Sequence, residues 1–298
     1  MNLPLPLLLL LLRLSGRRRR YESVEGLRRA HAQDRRRRDV APPASLRRHV
    51  ALSERLVAGR PCYTLAPRAG QAPSATRLLY LHGGAFVSQI VPQHWQLVAE
   101  LVRASGCTAS VPLYPLAPEH AHGAAFAMLE ALYRELAAAP GPLVLMGDSA
   151  GAGLALALVQ GLAEAGVPAP RELVMLSPWL DLSLASARRT AGTMTDPWLA
   201  LPGMAEAARW WAGGSDPAAP RLSPLHGRLQ GIGRLSLYIG QRDLLLGEAR
   251  ALRDRAAAEG VAIEYHEAPR MPHVWPLLPL REAAPVRQRL AQLLRAET

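Results

Sequence analysis

The chain has 298 residues, of which 49% are hydrophobic, and this composition indicates a globular protein of one large domain or two ordinary ones. Its formal net charge is +11, but residues 1–60 hold 15 arginines against 5 acidic residues and account for +10 of that charge. Because the rest of the chain is nearly neutral, the charge does not indicate a nucleic-acid binder, and the 2 cysteines exclude a disulfide-stabilised scaffold.

The first predicted element is an apolar run at residues 3–12. It is about half the ~20 residues that a membrane-spanning helix needs, and it lacks the preceding charge and the small-residue cleavage site of a signal peptide. The run is either a peripheral membrane anchor or a helix that packs on the protein's own surface. We favour the second interpretation.

Two arginine runs follow, at residues 17–20 and 35–38. They could contact acidic lipid headgroups or nucleic acid, but a solvated helical face is the more common arrangement. Only Tyr21 could stack on a base between the runs, so we expect no nucleic-acid partner. A weak membrane-surface contact through the N-terminus remains an alternative, and we expect a cytoplasmic protein, with association at the inner face of the membrane as the variant of that expectation.

Beyond about residue 50, short apolar runs alternate with longer amphipathic ones, the pattern of a mostly parallel sheet covered by helices on both faces. Helices are predicted at residues 93–104, 124–138, 152–165 and 248–259. The predicted strands number eight, at residues 51–57, 62–66, 77–82, 108–112, 143–146, 173–176, 235–239 and 262–267.

Residues 186–225 interrupt this alternation with Pro, Gly and Trp. We interpret them as a cap insertion over the carboxyl edge of the sheet, where α/β proteins bind ligands. The predicted domains are therefore an arginine-rich segment at residues 1–45, which is a further part of the cap or a surface-association element, and a catalytic domain at residues 46–298.

The sequence Gly-Asp-Ser-Ala-Gly at residues 147–151 lies between a predicted strand and a predicted helix. This strand–turn–helix pattern is typical of the nucleophile elbow of α/β-hydrolases, where two glycines permit a sharp turn that presents the serine. It makes Ser149 a candidate nucleophile. The alternative is an ordinary small-residue turn after a buried strand.

A serine nucleophile needs a histidine base, and in this fold the base comes last in the chain. The histidines after Ser149 are His226, in the predicted cap, His266, in the last strand, and His273, in a loop beyond it. A loop after a strand's carboxyl end can reach the elbow, so His273 is the predicted base.

The base in turn needs a carboxylate, which should follow the preceding strand. Asp243 occupies that position, whereas Asp181 and Asp196 lie upstream of the strand and Asp254 falls inside a helix. Asp243 is therefore the predicted acid, and a helix N-cap is its alternative role.

Acyl transfer also needs amide donors for the oxyanion. The sequence His-Gly-Gly-Ala-Phe at residues 82–86 follows a predicted strand, and its glycines would let the backbone approach a substrate. The predicted oxyanion hole comprises the amides of Gly83, Gly84 and Ala150, unless the two glycines form only a turn.

These motifs, together with residues 114–120, 176–182, 196–197 and 272–273, resemble the α/β-hydrolase esterases related to hormone-sensitive lipase and arylacetamide deacetylase. The similar stretch runs from about residue 77 to 275. The resemblance implies the α/β-hydrolase fold, with an eight-stranded sheet and a helical cap, and hydrolysis of carboxylic esters with short to medium acyl chains. It implies no cofactor and a small-molecule ester as partner, and a homodimer is one assembly. No Cys/His cluster has zinc spacing, so we expect no metal. Phe86 and Trp275 are predicted to contact the substrate, with core packing as the alternative for Trp275.

Two positions depart from the family pattern. Ala85 replaces a glycine that is common in the oxyanion loop, and Gly123 replaces a proline. A binding protein on the same fold is the main alternative function, but it would not need Ser149, Asp243 and His273 together. A nucleotide-binding protein is a further alternative, but the glycine motif that it requires is incomplete in this sequence.

Overall fold

The computed structural model describes residues 3–36, 40–190 and 196–295. Part of the second arginine run, at residues 37 and 38, and residues 191–195 of the predicted cap insertion lie outside the described residues. The described helices are α1 (Leu5–Leu14), α2 (Val24–Asp34), α3 (Pro92–Ser105), α4 (His122–Ala138), α5 (Ala150–Glu164), α6 (Ala185–Thr190), α7 (Leu201–Ala212), α8 (Leu246–Ala258) and α9 (Ala283–Leu294).

One sheet forms the centre of the molecule, with the strand order β1-β2-β4-β3-β5-β6-β7-β8. Strands β1 and β2 are antiparallel to each other, β2 is antiparallel to β4, and all other neighbours are parallel. The predicted eight-stranded, mostly parallel sheet is thus confirmed. Its strands are β1 (Ala51–Val57), β2 (Arg60–Ala66), β3 (Arg77–Leu81), β4 (Thr108–Pro112), β5 (Leu143–Asp148), β6 (Glu172–Leu176), β7 (Arg234–Gly240) and β8 (Ile263–Ala268).

Helices cover both faces of this sheet because each parallel crossover carries a helix back over it. Helices α4, α5 and α8 contribute to one buried apolar cluster, and α3 and α9 contribute to the cluster on the other face. Strands β3, β5 and β6 are buried almost throughout. The carboxyl edge of this buried sheet is therefore a rigid platform for side chains that follow the strands.

Helix α1 packs on the protein itself, as the favoured interpretation of the apolar run predicted. Leu5, Leu8 and Leu12 are buried against a cluster that includes Met271 and Trp275. The opposite face of α1 is exposed. None of the helices within the described ranges combines the length and apolar character that crossing a bilayer requires.

Helix α2 lies against α7, so the N-terminal segment and the insertion meet. The amide of Gly203 donates a hydrogen bond of 2.7 Å to the carbonyl oxygen of Tyr21. A Cβ at position 203 would lie 2.5 Å from the Cα of Tyr21, so glycine allows the two backbones to approach. Arg28 also pairs with Glu206 at 3.0 Å.

Candidate active site

Ser149 lies in the sharp turn between β5 and α5. Its φ of 52° and ψ of −122° are unusual for a residue with a side chain. A Cβ at Gly147 would lie 2.5 Å from the carbonyl oxygen of Gly151, and one at Gly151 would lie 2.2 Å from that of Leu81. Both glycines are therefore required for the turn that presents the serine.

The structure brings the three predicted triad side chains together at the carboxyl edge of the sheet. His273, in the loop after β8, lies with Nε2 2.9 Å from Oγ of Ser149 and with Nδ1 2.9 Å from Oδ2 of Asp243, which follows β7. Burial opposes protonation of His273, but the charge and hydrogen bond of Asp243 outweigh it and raise the pKa of the imidazole.

The alternative histidines lie elsewhere. His266 stacks on Tyr238 with ring centroids 4.6 Å apart and pairs with Glu264. His226 is half exposed, and its Nε2 lies 3.9 Å from Asp181. Neither contacts Ser149.

The oxyanion loop differs from its prediction at one residue. The amide of Gly83 donates a hydrogen bond of 2.8 Å to Oδ1 of Asp148, so it is not available to a substrate. The expectation that Gly83 is an oxyanion donor is therefore corrected. Within the described part of the chain, the amides of Gly84, Ala85 and Ala150 have no hydrogen-bond acceptor, and the φ of 54° at Ala85 turns the loop toward the elbow.

In comparison with known proteins, residues 78–277 match the α/β-hydrolase fold family. The chain belongs to that family. It is 37% identical over 209 residues to an acetyl-hydrolase of Streptomyces hygroscopicus, a match that covers 68% of this chain and 70% of that protein.

The solved structures similar to this α/β-hydrolase include an esterase from the bacterial hormone-sensitive lipase family. That esterase is 30% identical, has a TM-score of 0.82 and matches over 99% of each chain. A hormone-sensitive-lipase homologue from a metagenome library is 28% identical, with a TM-score of 0.81, and the match covers 99% of this chain and 98% of that one. The resemblance drawn from the sequence motifs is confirmed.

Asp148 ties the oxyanion loop of this α/β-hydrolase to the elbow. Besides the amide of Gly83, its carboxylate accepts hydrogen bonds from Tyr80 Oη at 2.7 Å and His94 Nε2 at 3.3 Å. Nδ1 of His94 accepts the amide of Val91 at 3.0 Å, so the imidazole proton resides on Nε2. Burial raises the pKa of Asp148, but the electrostatic interaction with His94 and these hydrogen bonds outweigh it and lower the pKa.

Asp196 is a second buried carboxylate beside the triad. Its Oδ1 accepts the amides of Trp198 and Leu199, at 2.7 and 2.9 Å, and its Oδ2 accepts that of Leu244 at 2.8 Å. Burial and the charge of Asp243 raise its pKa to about 6. Sequence reasoning treated Asp196 as an alternative acid and as part of a family motif, and it missed the contact with Leu244, a residue remote in sequence.

A cleft of about 460 Å³ opens above Ser149. One wall comes from the oxyanion loop and α2, and another comes from the loop after β8 and the segment before α7. Its larger apolar lining residues are Val91, Trp179, Trp198, Leu199, Met204, Val274, Leu277 and Leu278.

Phe86 and Trp275 do not line this cleft, so the expectation that they contact substrate is corrected. Phe86 is 3% exposed and stacks on Trp211 of α7, with ring centroids 4.4 Å apart. Trp275 is 4% exposed and packs beneath α1.

No cluster of three or more His, Cys, Asp or Glu side chains in the described ranges is arranged to hold a metal.

Proposed function

We propose that this protein is a serine hydrolase that cleaves carboxylic esters through Ser149, His273 and Asp243. The observation that carries the proposal is the continuous hydrogen-bonded line from Asp243 through His273 to Ser149, with 2.9 Å at each step, at the base of a cleft. The names of the acetyl-hydrolase and esterase relatives support the same chemistry.

In the first half of the reaction, Ser149 Oγ attacks the ester carbonyl while Nε2 of His273 takes the hydroxyl proton. The tetrahedral intermediate then collapses, the bond to the alcohol oxygen breaks, and His273 gives that proton to the leaving alcohol. Water next attacks the acyl-enzyme, with His273 as base, and releases the carboxylic acid and free Ser149. Asp243 holds the imidazole in the required tautomer throughout.

The oxyanion would be stabilised by the amides of Gly84, Ala85 and Ala150, because these N–H groups have no hydrogen-bond acceptor among the described residues. The Ala85 side chain replaces the hydrogen of a glycine without removing the amide. The size of the cleft suits short to medium acyl chains, and the name of the Streptomyces relative supports the short end of that range. We infer that α2 of the N-terminal segment and α7 of the insertion contribute to the cap over this cleft.

The test uses p-nitrophenyl esters of increasing acyl length, with Ser149→Ala as the matched variant. We expect hydrolysis that is fastest with short to medium chains and that Ser149→Ala abolishes. Equal activity of both proteins would refute the mechanism. No activity in either, with retained binding of an ester analogue, would favour the alternative of a binding protein.

The outer face of α1 favours a second role, peripheral contact with an anionic membrane surface. Leu7, Leu10, Leu11 and Leu14 form one stripe there and are between 43% and 73% exposed, which is unusual for leucine. Arg13, exposed in the last turn of α1, supplies charge complementary to acidic headgroups.

Vesicle partitioning tests this contact. Leu10→Glu combined with Leu14→Glu should release the protein from anionic vesicles, because both side chains point into solvent and the change leaves packing intact. The control is Leu56→Glu, at a leucine that is 65% exposed on the edge strand β1. If the double variant partitions like the control, α1 is not a membrane contact.

A further inference from the structure

The cleft above Ser149 has an excess of positive charge. Asp148 is the one acidic residue among its described lining residues, and that carboxylate is already engaged by three hydrogen-bond donors. Four arginines line the same cleft, all from the N-terminal segment: Arg17, Arg19, Arg20 and Arg29.

Two of these arginines lack an acidic partner. Arg20 and Arg29 each pair with an acidic side chain of α2. Arg17 and Arg19 form no ion pair with any described residue. Both side chains are exposed at the mouth of the cleft, where an anion can reach them.

Arg17 and the base of the triad contact the same aromatic ring, that of Trp198. The guanidinium carbon of Arg17 is 4.7 Å from the centre of the Trp198 ring, and that ring meets the imidazole of His273 edge to face with centroids 6.1 Å apart. Trp198 thus contacts both groups. A cation stacked on an aromatic ring keeps its N–H groups free at its rim to bind an anion.

The position of Arg17 next to Trp198, which contacts His273, indicates which half of an ester Arg17 would meet. His273 must lie within hydrogen-bond distance of the leaving alcohol oxygen to protonate it. The alcohol half therefore occupies the side of the cleft formed by His273, Trp198 and Arg17, whereas the acyl carbonyl faces the oxyanion loop.

We propose that the preferred substrates are esters whose alcohol half carries an anionic group, a carboxylate or a phosphate, and that Arg17 and Arg19 bind this group. The inference rests on the proposed ester hydrolysis. It adds a charge requirement to it, because an apolar cleft for neutral esters would not need two unpaired cations at its mouth.

The experiment compares acetyl esters that differ in the charge of the alcohol. The anionic substrates are 4-acetoxybenzoate and 4-acetoxyphenyl phosphate, and methyl 4-acetoxybenzoate is the neutral counterpart. The readout is the ratio of kcat/KM for each anionic ester to that for the neutral one, so any general loss of activity cancels. We expect Arg17→Met to lower this ratio about tenfold, and we expect Arg19→Met to lower it as well. The reason is that hydrogen bonds between a guanidinium and an anion are stronger than those between neutral groups.

The matched control is Arg103→Met, which removes an exposed arginine of α3 outside the cleft and should retain the wild-type ratio. Added salt should lower the ratio in the wild type. The anionic ester whose ratio falls further in Arg17→Met shows whether Arg17 favours a carboxylate or a phosphate.

Equal ratios in wild type, Arg17→Met and Arg103→Met would overturn the inference while leaving ester hydrolysis intact. A charge preference seen only with the monoester p-nitrophenyl hydrogen glutarate, against its methyl ester, would place the anion on the acyl half and refute the assignment. No Ser149-dependent hydrolysis of any of these esters would instead overturn the proposed function itself.

Discussion

Replacing Asp148 by asparagine tests whether the oxyanion loop depends on a buried charge. The introduced amide could still accept from Tyr80 and Gly83 through its oxygen, but each bond would weaken by about 1 kcal/mol because the acceptor is no longer ionised. The amide nitrogen of the asparagine would face the protonated Nε2 of His94. Both groups are donors and neither would have an acceptor, which costs about 1–3 kcal/mol. The expected loss of stability is thus about 3–5 kcal/mol.

Urea denaturation at neutral pH measures this loss, and steady-state kinetics on a short-chain ester measures its effect on the loop. Since the folded state lowers the pKa of Asp148, its stabilisation is present above the ordinary carboxyl pKa and fades as the pH falls through the folded value. We expect kcat to fall about tenfold with little change in KM, because the oxyanion donors follow the anchored Gly83.

Tyr80→Phe is the graded control, because it removes one donor and leaves the carboxylate ionised with the other two. It should cost about 1 kcal/mol. It also keeps the reasoning testable if the Asp148→Asn variant does not fold. An Asp148→Asn variant with the urea midpoint and kcat of the wild type would refute the role assigned to this carboxylate.

Two further predictions concern the base and the elbow helix. The kcat/KM of the wild type should fall as the pH drops through the raised pKa of His273. Asp196→Asn should move this acidic limb of the pH profile to lower pH, because the charge of Asp196 helps to raise the pKa of His273. An acidic limb at the wild-type pH would contradict this electrostatic coupling between Asp196 and His273. Gly153→Ala should prevent stable folding, since its Cβ would lie 1.9 Å from the carbonyl oxygen of Trp179. Gly161→Ala lies on the same helix with no atom nearer than 3.7 Å to its Cβ, and it should stabilise the protein by about 0.5–1 kcal/mol in thermal unfolding. Equal melting temperatures of the two variants would contradict this reasoning.

Sequence patterns predicted the strands and the meeting of Ser149, His273 and Asp243 because each follows the carboxyl end of a strand, where position along the chain fixes position in space. They did not predict α7, because Pro202 and Gly203 read as helix breakers. In the structure Pro202 lies in the first turn, where a missing N–H costs nothing.

The errors at Gly83, Phe86 and Trp275 have a different cause. Motif reasoning assigns a role to a residue, but the direction of its amide or ring depends on partners that are remote in sequence. The Gly83 amide meets a carboxylate 65 residues away, and the Phe86 ring is buried by Trp211 of the insertion. Such partners are fixed by tertiary packing, so local sequence carries no signal for them.

The cap is coupled to the triad through Asp196. Arg18 of the N-terminal segment donates to the backbone carbonyl of Asp196, whose side chain accepts the amide of Leu244, next to Asp243. Its carboxylate also contributes to the charge around His273. Because the N-terminal segment supports this arrangement and lines the cleft, deletion of residues 1–20 would change catalysis and any membrane contact together. Substitutions on the outer face of α1 separate the two, since those side chains contact neither the cleft nor the triad.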